Sequence, residues 1–226
     1  MTALLQLTDV SMQFATDADP QYTVFHGVNL SIRAGDRVAV VGRNGSGKST
    51  LLRVMARIFA PTSGQVEWAD GVSVSLLSLG LGFNPVLSGR DNAYLSCLLV
   101  GLSQKEALES LERIEAFCEL GSFFTEPVHT YSAGMRARLG FGTALENRSQ
   151  VILIDEVLSV GDRAFREKAR EALEQELSGD RAVVLVSHAE EQIQRLCQRA
   201  ILLEQGSVVA EGDCAEVLAR YGQGAT

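Results

Sequence analysis

Along the chain, short runs of branched apolar residues alternate with stretches in which apolar residues recur every three or four positions. Residues 4–10, 28–32 and 37–41 read as strands, with Gly35-Asp36 as the turn between the last two. Residues 48–59 have helical spacing, and Pro61 stops them. Residues 65–68 and 72–77 read as a strand pair around Asp70-Gly71. From Gly89 to about Arg148 the pattern is helical, with no convincing strand. Ser103 and Glu106 have the spacing of a capping box, and Leu108, Leu111, Ile114 and Phe117 then give that helix an apolar face. Residues 151–154 and 182–186 are continuous apolar runs, as parallel strands covered on both faces require. A helix lies between them, and Ser187 with Glu190 boxes the next one. Residues 200–203 and 207–210 read as a closing hairpin around Gly206, and a last helix runs from about Asp213 to Tyr221. The pattern is α/β material flanking a helical insert.

Composition narrows what such a chain can be. The 226 residues, 46% of them apolar, suffice for one domain with a sub-lobe or for two domains, and for a real core. A net charge of −8 disfavours a duplex nucleic-acid binder, which needs a basic face. No apolar run approaches the ~20 residues of a membrane span. The first residues lack a basic flank and a cleavable apolar segment, so the expected place is the cytoplasm, with a membrane reached only through a partner. Cys97, Cys118, Cys197 and Cys214 have neither metal-knuckle nor redox spacing and read as small buried hydrophobes. The basic residues are nearly all Arg. The only lysines are Lys48, Lys105 and Lys168, and the first sits inside a glycine-rich loop.

That loop carries the chemistry. Gly42-Arg43-Asn44-Gly45-Ser46-Gly47-Lys48-Ser49-Thr50 fits G-x-x-x-x-G-K-[ST] between a strand and a helix. Glycines at Gly42, Gly45 and Gly47 let backbone N–H groups, that of Asn44 among them, converge on a phosphate at a helix N-terminus. Lys48 would reach the β and γ phosphates, Ser49 would hold Mg²⁺, and Thr50 would bond near the α phosphate. The run 151–154 ends in Asp155-Glu156. Asp155 is the expected holder of the Mg²⁺ shell and Glu156 the group that polarises the attacking water. Acidic residues also favour helix starts, a competing role the upstream loop makes less apt. Ser132 in Tyr131-Ser132-Ala133-Gly134-Met135 reads first as a helix N-cap, but a serine hydroxyl and free N–H groups there also form an anion site.

Here the chain resembles the ATP-binding-cassette proteins. Residues 131–135, about 20 before Asp155, look like their LSGGQ signature, with Ala133 and Met135 in place of a Gly and the Gln. The resemblance implies a P-loop, RecA-like α/β core with an antiparallel β subdomain and an inserted helical subdomain. It divides residues 1–226, a single cassette, into a core lobe at 1–80 and 149–226 and a helical lobe at 81–148. It implies γ-phosphate contacts at Ser132 and Gly134, a D-loop at Ser159 to Asp162, a switch histidine at His188, and Phe14 as the aromatic that stacks on adenine. The Gln that usually joins the lobes is missing from residues 76–83, where Ser78 or Leu79 falls near its place. ATP and Mg²⁺ are the implied ligands, and an ATP-sandwich homodimer and an integral-membrane permease the implied partners.

The wording around Gly82-Phe83, of Leu87 to Asn92, Pro127 to Leu139, Asp155 to Asp162 and Leu196 to Leu203 is similar to that of one subgroup. These are the ATPases of two-component exporters of O-antigen, capsule or teichoic-acid polymers on lipid carriers. Some of them carry a C-terminal carbohydrate-binding domain, and residues 1–226 leave no room for one. The resemblance thus implies an ATPase on the inner face of the cell membrane that powers export of a lipid-linked polysaccharide it does not itself bind. An importer subunit and a cassette ATPase acting on nucleic acid or the ribosome are the alternatives. A GTPase is disfavoured because no Asn-Lys-x-Asp string occurs.

Overall fold

The computed structural model describes residues 3–17, 19–77, 82–155, 162–176, 179–187 and 189–223. The chain divides into two compact units: the described residues of Met1–Leu76, Gln150–Glu156 and Gly179–Thr226, and those of Leu77–Ser149 and Val157–Ser178.

The first unit holds two sheets. Strands β1 (Ala3–Phe14), β2 (Tyr22–Arg33) and β4 (Ser63–Trp68) form an antiparallel sheet of order β2-β1-β4. Strands β3 (Arg37–Val41), β5 (Val74–Leu77), β6 (Val151–Asp155), β7 (Ala182–Val186), β8 (Arg199–Glu204) and β9 (Ser207–Asp213) form the second, of order β5-β6-β7-β3-β8-β9. Its centre, β6-β7-β3-β8, is parallel, and β9 returns antiparallel to β8 around Gly206. The central strands are the continuous apolar runs, and Val38, Val40, Leu153, Val184 and Ile201 are wholly buried in one core with Leu5, Ile32 and Leu52. Helices α1 (Lys48–Met55), α6 (Glu190–Leu196) and α7 (Cys214–Gln223) complete the unit.

The second unit is helical. It holds α2 (Gly89–Leu99), α3 (Gln104–Cys118), α4 (Ala133–Leu145) and α5 (Arg163–Glu176), with short 3₁₀ turns at Gly121–Thr125 and Val128–Thr130. Its core joins Ala93, Cys97, Leu111, Ile114, Phe124 and Leu139. Among the described residues no helix is long and apolar enough to cross a membrane. All four cysteines are buried thiols.

Several sequence expectations need correction. The strands before and after Asp70-Gly71 do not pair: β4 joins β1, whereas β5 lies beside β6. The chain turns through Val72 N–H on Ala69 O, and the N–H groups of Val151 and Gln150 then bond Ser73. Helix α1 ends at Met55, before Pro61 can act, because Arg57 turns left-handed at φ 61° and the Ile58 and Phe59 N–H groups fold back on Arg53 O. On α3 the capping box is present, but Leu108 is 52% exposed and Ala107 and Ser110 face inward instead. No box opens α6, whose N-cap is Ala189; Ser187 Oγ accepts the Ala189 N–H and donates to Gln192. Helix α5 belongs with the helical unit, not with the core lobe to which residues 149–226 were assigned. The reason is aromatic: the Phe165 ring meets those of Phe117 and Phe141 at 5.7 and 6.2 Å.

Candidate functional site: a phosphate loop and a capped signature turn

Strand β3 is buried on both faces and delivers the chain to the carboxyl end of the parallel sheet, where such sheets place their ligands. The loop there has its form from glycine. Gly42 adopts φ 152°, and a Cβ on it would stand 2.2 Å from Leu203 O, so no side chain fits without moving β8. Gly45 and Gly47 are left-handed, at φ 81° and 100°. Gly47 is the N-cap of α1 and supplies no side-chain cap, so the first N–H groups of that helix face the loop without one.

The side chains of Ser46 and Lys48 turn inward, whereas Arg43 and Asn44 are exposed. Lys48 is only 6% exposed, and its Nζ donates to Gly42 O at 2.8 Å and Arg43 O at 2.9 Å. The ammonium thus closes the loop on itself. Ser46 Oγ is buried without a hydrogen-bond partner. Ser49 Oγ donates to Asp155 Oδ1 at 3.1 Å across 106 residues of sequence. Phe14, Asn44, Gly45, Gly47, Lys48, Ser49, Thr50 and Asp155 line one cavity of about 680 Å³, to which Tyr22 and Val24 also contribute. A buried ammonium, a helix start without a side-chain cap and a hydroxyl–carboxylate pair are together suited to a polyphosphate and a hard divalent cation. The Ser49 and Asp155 oxygens are the donor types such an ion takes.

The other candidate residues lie in the helical unit or outside the described residues. Ser132 is the N-cap of α4, and its Oγ accepts the Met135 N–H at 3.2 Å. The hydroxyl proton remains able to donate outward. Beside Gly134 there is open room, since a Cβ there would meet only Ser132 Oγ, at 3.8 Å. The turn is anchored from behind by Tyr131, whose buried ring donates its O–H to Phe123 O at 2.6 Å and packs where a Cβ on Gly89 would stand. Burial of that phenol pushes its pKa up to about 12, so it stays a donor. Glu156, His188, Ser159 to Gly161, Ser78 and Leu79 lie outside the described residues. Asp162 caps α5 through the Phe165 N–H and pairs with Arg138 of α4. That N–H, before the arginine, holds its carboxyl below the ordinary range.

Sequence reasoning missed Tyr22, Val24 and Ser46. Val24 carries no chemical signal, and Ser46 falls at a position the loop motif leaves free. Tyr22 was discoverable only as an aromatic residue flanking the loop that follows Phe14.

Comparison with known proteins agrees with this geometry. The profile of the family described as ABC transporter matches residues 25–159. The ABC transporter protein AbcA of Aeromonas salmonicida is 36% identical over 96% of this chain and 75% of its own length. The O-antigen export system ATP-binding protein RfbB of Klebsiella pneumoniae is 38% identical over 90% and 82%. The teichoic acids export ATP-binding protein TagH of Enterococcus faecalis is 37% identical over 89% of this chain but only 45% of its own length. Among solved structures, the post-hydrolysis dimer of the ATP-binding cassette MJ0796 with ADP and Pi superposes with a TM-score of 0.79. At 23% identity, covering 93% of this chain and 98% of that one, the match speaks to fold alone. The chain belongs to the ABC transporter family. Within it, it is an ATPase component.

Proposed function

We propose that this chain powers export of a lipid-linked polysaccharide through a separate membrane permease, which holds it at the inner face of the cell membrane. The observation that carries the ATPase step is the cavity in which Lys48, Ser49 and Asp155 converge on one glycine-built loop. The names of the O-antigen and teichoic-acid relatives support the cargo class.

The reaction is phosphoryl transfer to water, so catalysis is positioning and charge stabilisation. Lys48 leaves the Gly42 and Arg43 carbonyls for β and γ phosphate oxygens. Loop N–H groups, that of Asn44 included, hold the β phosphate, and Thr50 bonds near the α phosphate. Mg²⁺, held by Ser49 and Asp155, would neutralise charge on the β and γ oxygens. Glu156 orients the attacking water and His188 contacts the γ phosphate. Ser132 and Gly134 of a second copy close over the same phosphate, completing the sandwich homodimer. This chain needs no nucleic acid and no direct contact with the glycan.

Purification from native membranes in mild detergent, followed by identification of what travels with the chain, tests the reading. The expected companion is one multi-span permease, without a solute-binding protein. A bound solute-binding protein would make this an importer subunit, and the absence of any membrane partner would sink the transport assignment.

A further inference from the structure

We propose that the first unit holds a second ligand site, an apolar cavity at the far end of α1 that takes a small molecule with an apolar body and a carboxylate head. The inference goes beyond the ATPase reading and does not depend on it.

A cavity of about 340 Å³ lies where α1 has ended and β4 passes. That size suits a small ligand. The cavity shares no lining residue with the one that holds Lys48, Ser49 and Asp155. Its walls are Val54, Phe59, Ala60, Pro61 and Val66, whose side chains neither donate nor accept hydrogen bonds. Arg57 and Trp68 complete the lining. The Arg57 guanidinium lies over the Trp68 ring, 4.9 Å from its centroid, and pairs with no carboxylate or carbonyl among the described residues. The Trp68 Nε1–H is buried and also has no hydrogen-bond partner among them. Folded proteins pair nearly all such buried groups.

The backbone at Arg57 does not call for arginine. Its φ of 61° is a conformation that glycine adopts more easily, so the position is using the side chain. Both polar groups of the cavity are donors and one is a cation, so an occupant must bring an acceptor and negative charge. Stacking on Trp68 engages the face of the guanidinium and leaves its in-plane N–H fork, which matches a carboxylate bidentately. An uncharged apolar molecule would leave that fork unused, and an inorganic anion would leave the walls unused. A carboxylate with an apolar body uses both.

Trp68 is the sole tryptophan, so tryptophan emission from the full chain reports on this cavity. Titration with octanoate, followed by emission and by calorimetry, is expected to show saturable binding. Octanol, with the same chain length and no charge, is expected not to match it. Arg57→Gly suits the left-handed turn and removes the charge, and should weaken octanoate binding roughly tenfold. Arg57→Lys keeps the charge without the fork and should fall between the two. Octanoate should bind with ADP present as well as without it. No saturable binding, an equal response to octanol, or wild-type affinity in Arg57→Gly would overturn the site. Mutual exclusion of octanoate and ADP would place the probe in the phosphate cavity and overturn it too.

Discussion

Two turns in this protein lead a serine into a helix, and they are built on opposite principles. The loop at residues 42–49 leaves a strand buried on both faces, turns on left-handed glycines and enters α1 with no side-chain cap. Its form is set by backbone; Ser46 and Lys48 are buried, the ammonium on the Gly42 and Arg43 carbonyls, and half-buried Ser49 donates to Asp155. The turn at residues 131–135 is exposed at Ser132 and capped by it, and its form is set by side chains behind it. The contrast explains which positions depart from the cassette pattern. Nothing in the first loop could change at Gly42 without driving a Cβ into β8. In the second, Ala133 is exposed and Met135 packs on the helical core, so both substitutions leave the anchor and cap intact.

The largest effect expected from breaking this contrast is at Lys48. Lys48→Ala removes the charge aimed at the developing phosphate and should lower phosphate release by about 10²–10³-fold. It also removes two internal bonds to the loop carbonyls, so thermal denaturation must accompany the kinetics. A folded variant with near-normal turnover would mean the ammonium merely braces the loop.

Ser132 sharpens the comparison, because cap and phosphate donor can be separated there. Ser132→Ala should destabilise α4 by about 1 kcal/mol and also slow hydrolysis. Ser132→Asp keeps an N-cap acceptor, so it should restore the melting temperature, yet its charge repels a phosphate and hydrolysis should fall by roughly tenfold or more. Recovery of both stability and turnover in Ser132→Asp would leave Ser132 as a cap and nothing else.

Much of the core lobe was legible because its signals are local. A continuous apolar run at 182–186 and the glycine spacing at 42–47 each specify their own conformation, and both elements stand at the expected residues. What was not legible depends on partners distant in sequence. Strand β5 pairs away from β4 because of Val151, and α5 sits with the helical unit because of Phe117 and Phe141. The wording at residues 87–92 carried no physics when read alone. In the structure Ser88 caps α2, Gly89 makes room for the Tyr131 hydroxyl, and buried Asn92 donates to Asn84, Leu87 and Ser88 carbonyls. Those six residues support the signature turn 40 residues away, a relation no periodicity encodes.

The smallest effect concerns a helix cap with no part in phosphate chemistry, and so isolates capping from function. On α3, the Glu106 carboxylate accepts the Ser103 hydroxyl at 2.7 Å and its backbone N–H at 2.9 Å, and Arg148 donates to its other oxygen. These bonds, the serine hydroxyl first, lower its pKa from the ordinary 4.5 to about 2. The fold therefore favours the ionised form. That contribution is complete above about pH 4.5 and is lost as the pH falls through about 2. Glu106→Gln preserves a side chain that can still accept the Ser103 N–H but has no charge to titrate. Urea midpoints of the wild type should fall across that window more steeply than those of Glu106→Gln, the remaining slope belonging to the other depressed carboxylates, Glu119, Glu146 and Asp162. Hydrolysis at neutral pH should be unchanged. Equal slopes would mean that the box does not hold its charge in solution. A loss of hydrolysis would mean that capping in the helical unit cannot be separated from phosphate chemistry, and the distinction between the two turns would have to be drawn elsewhere.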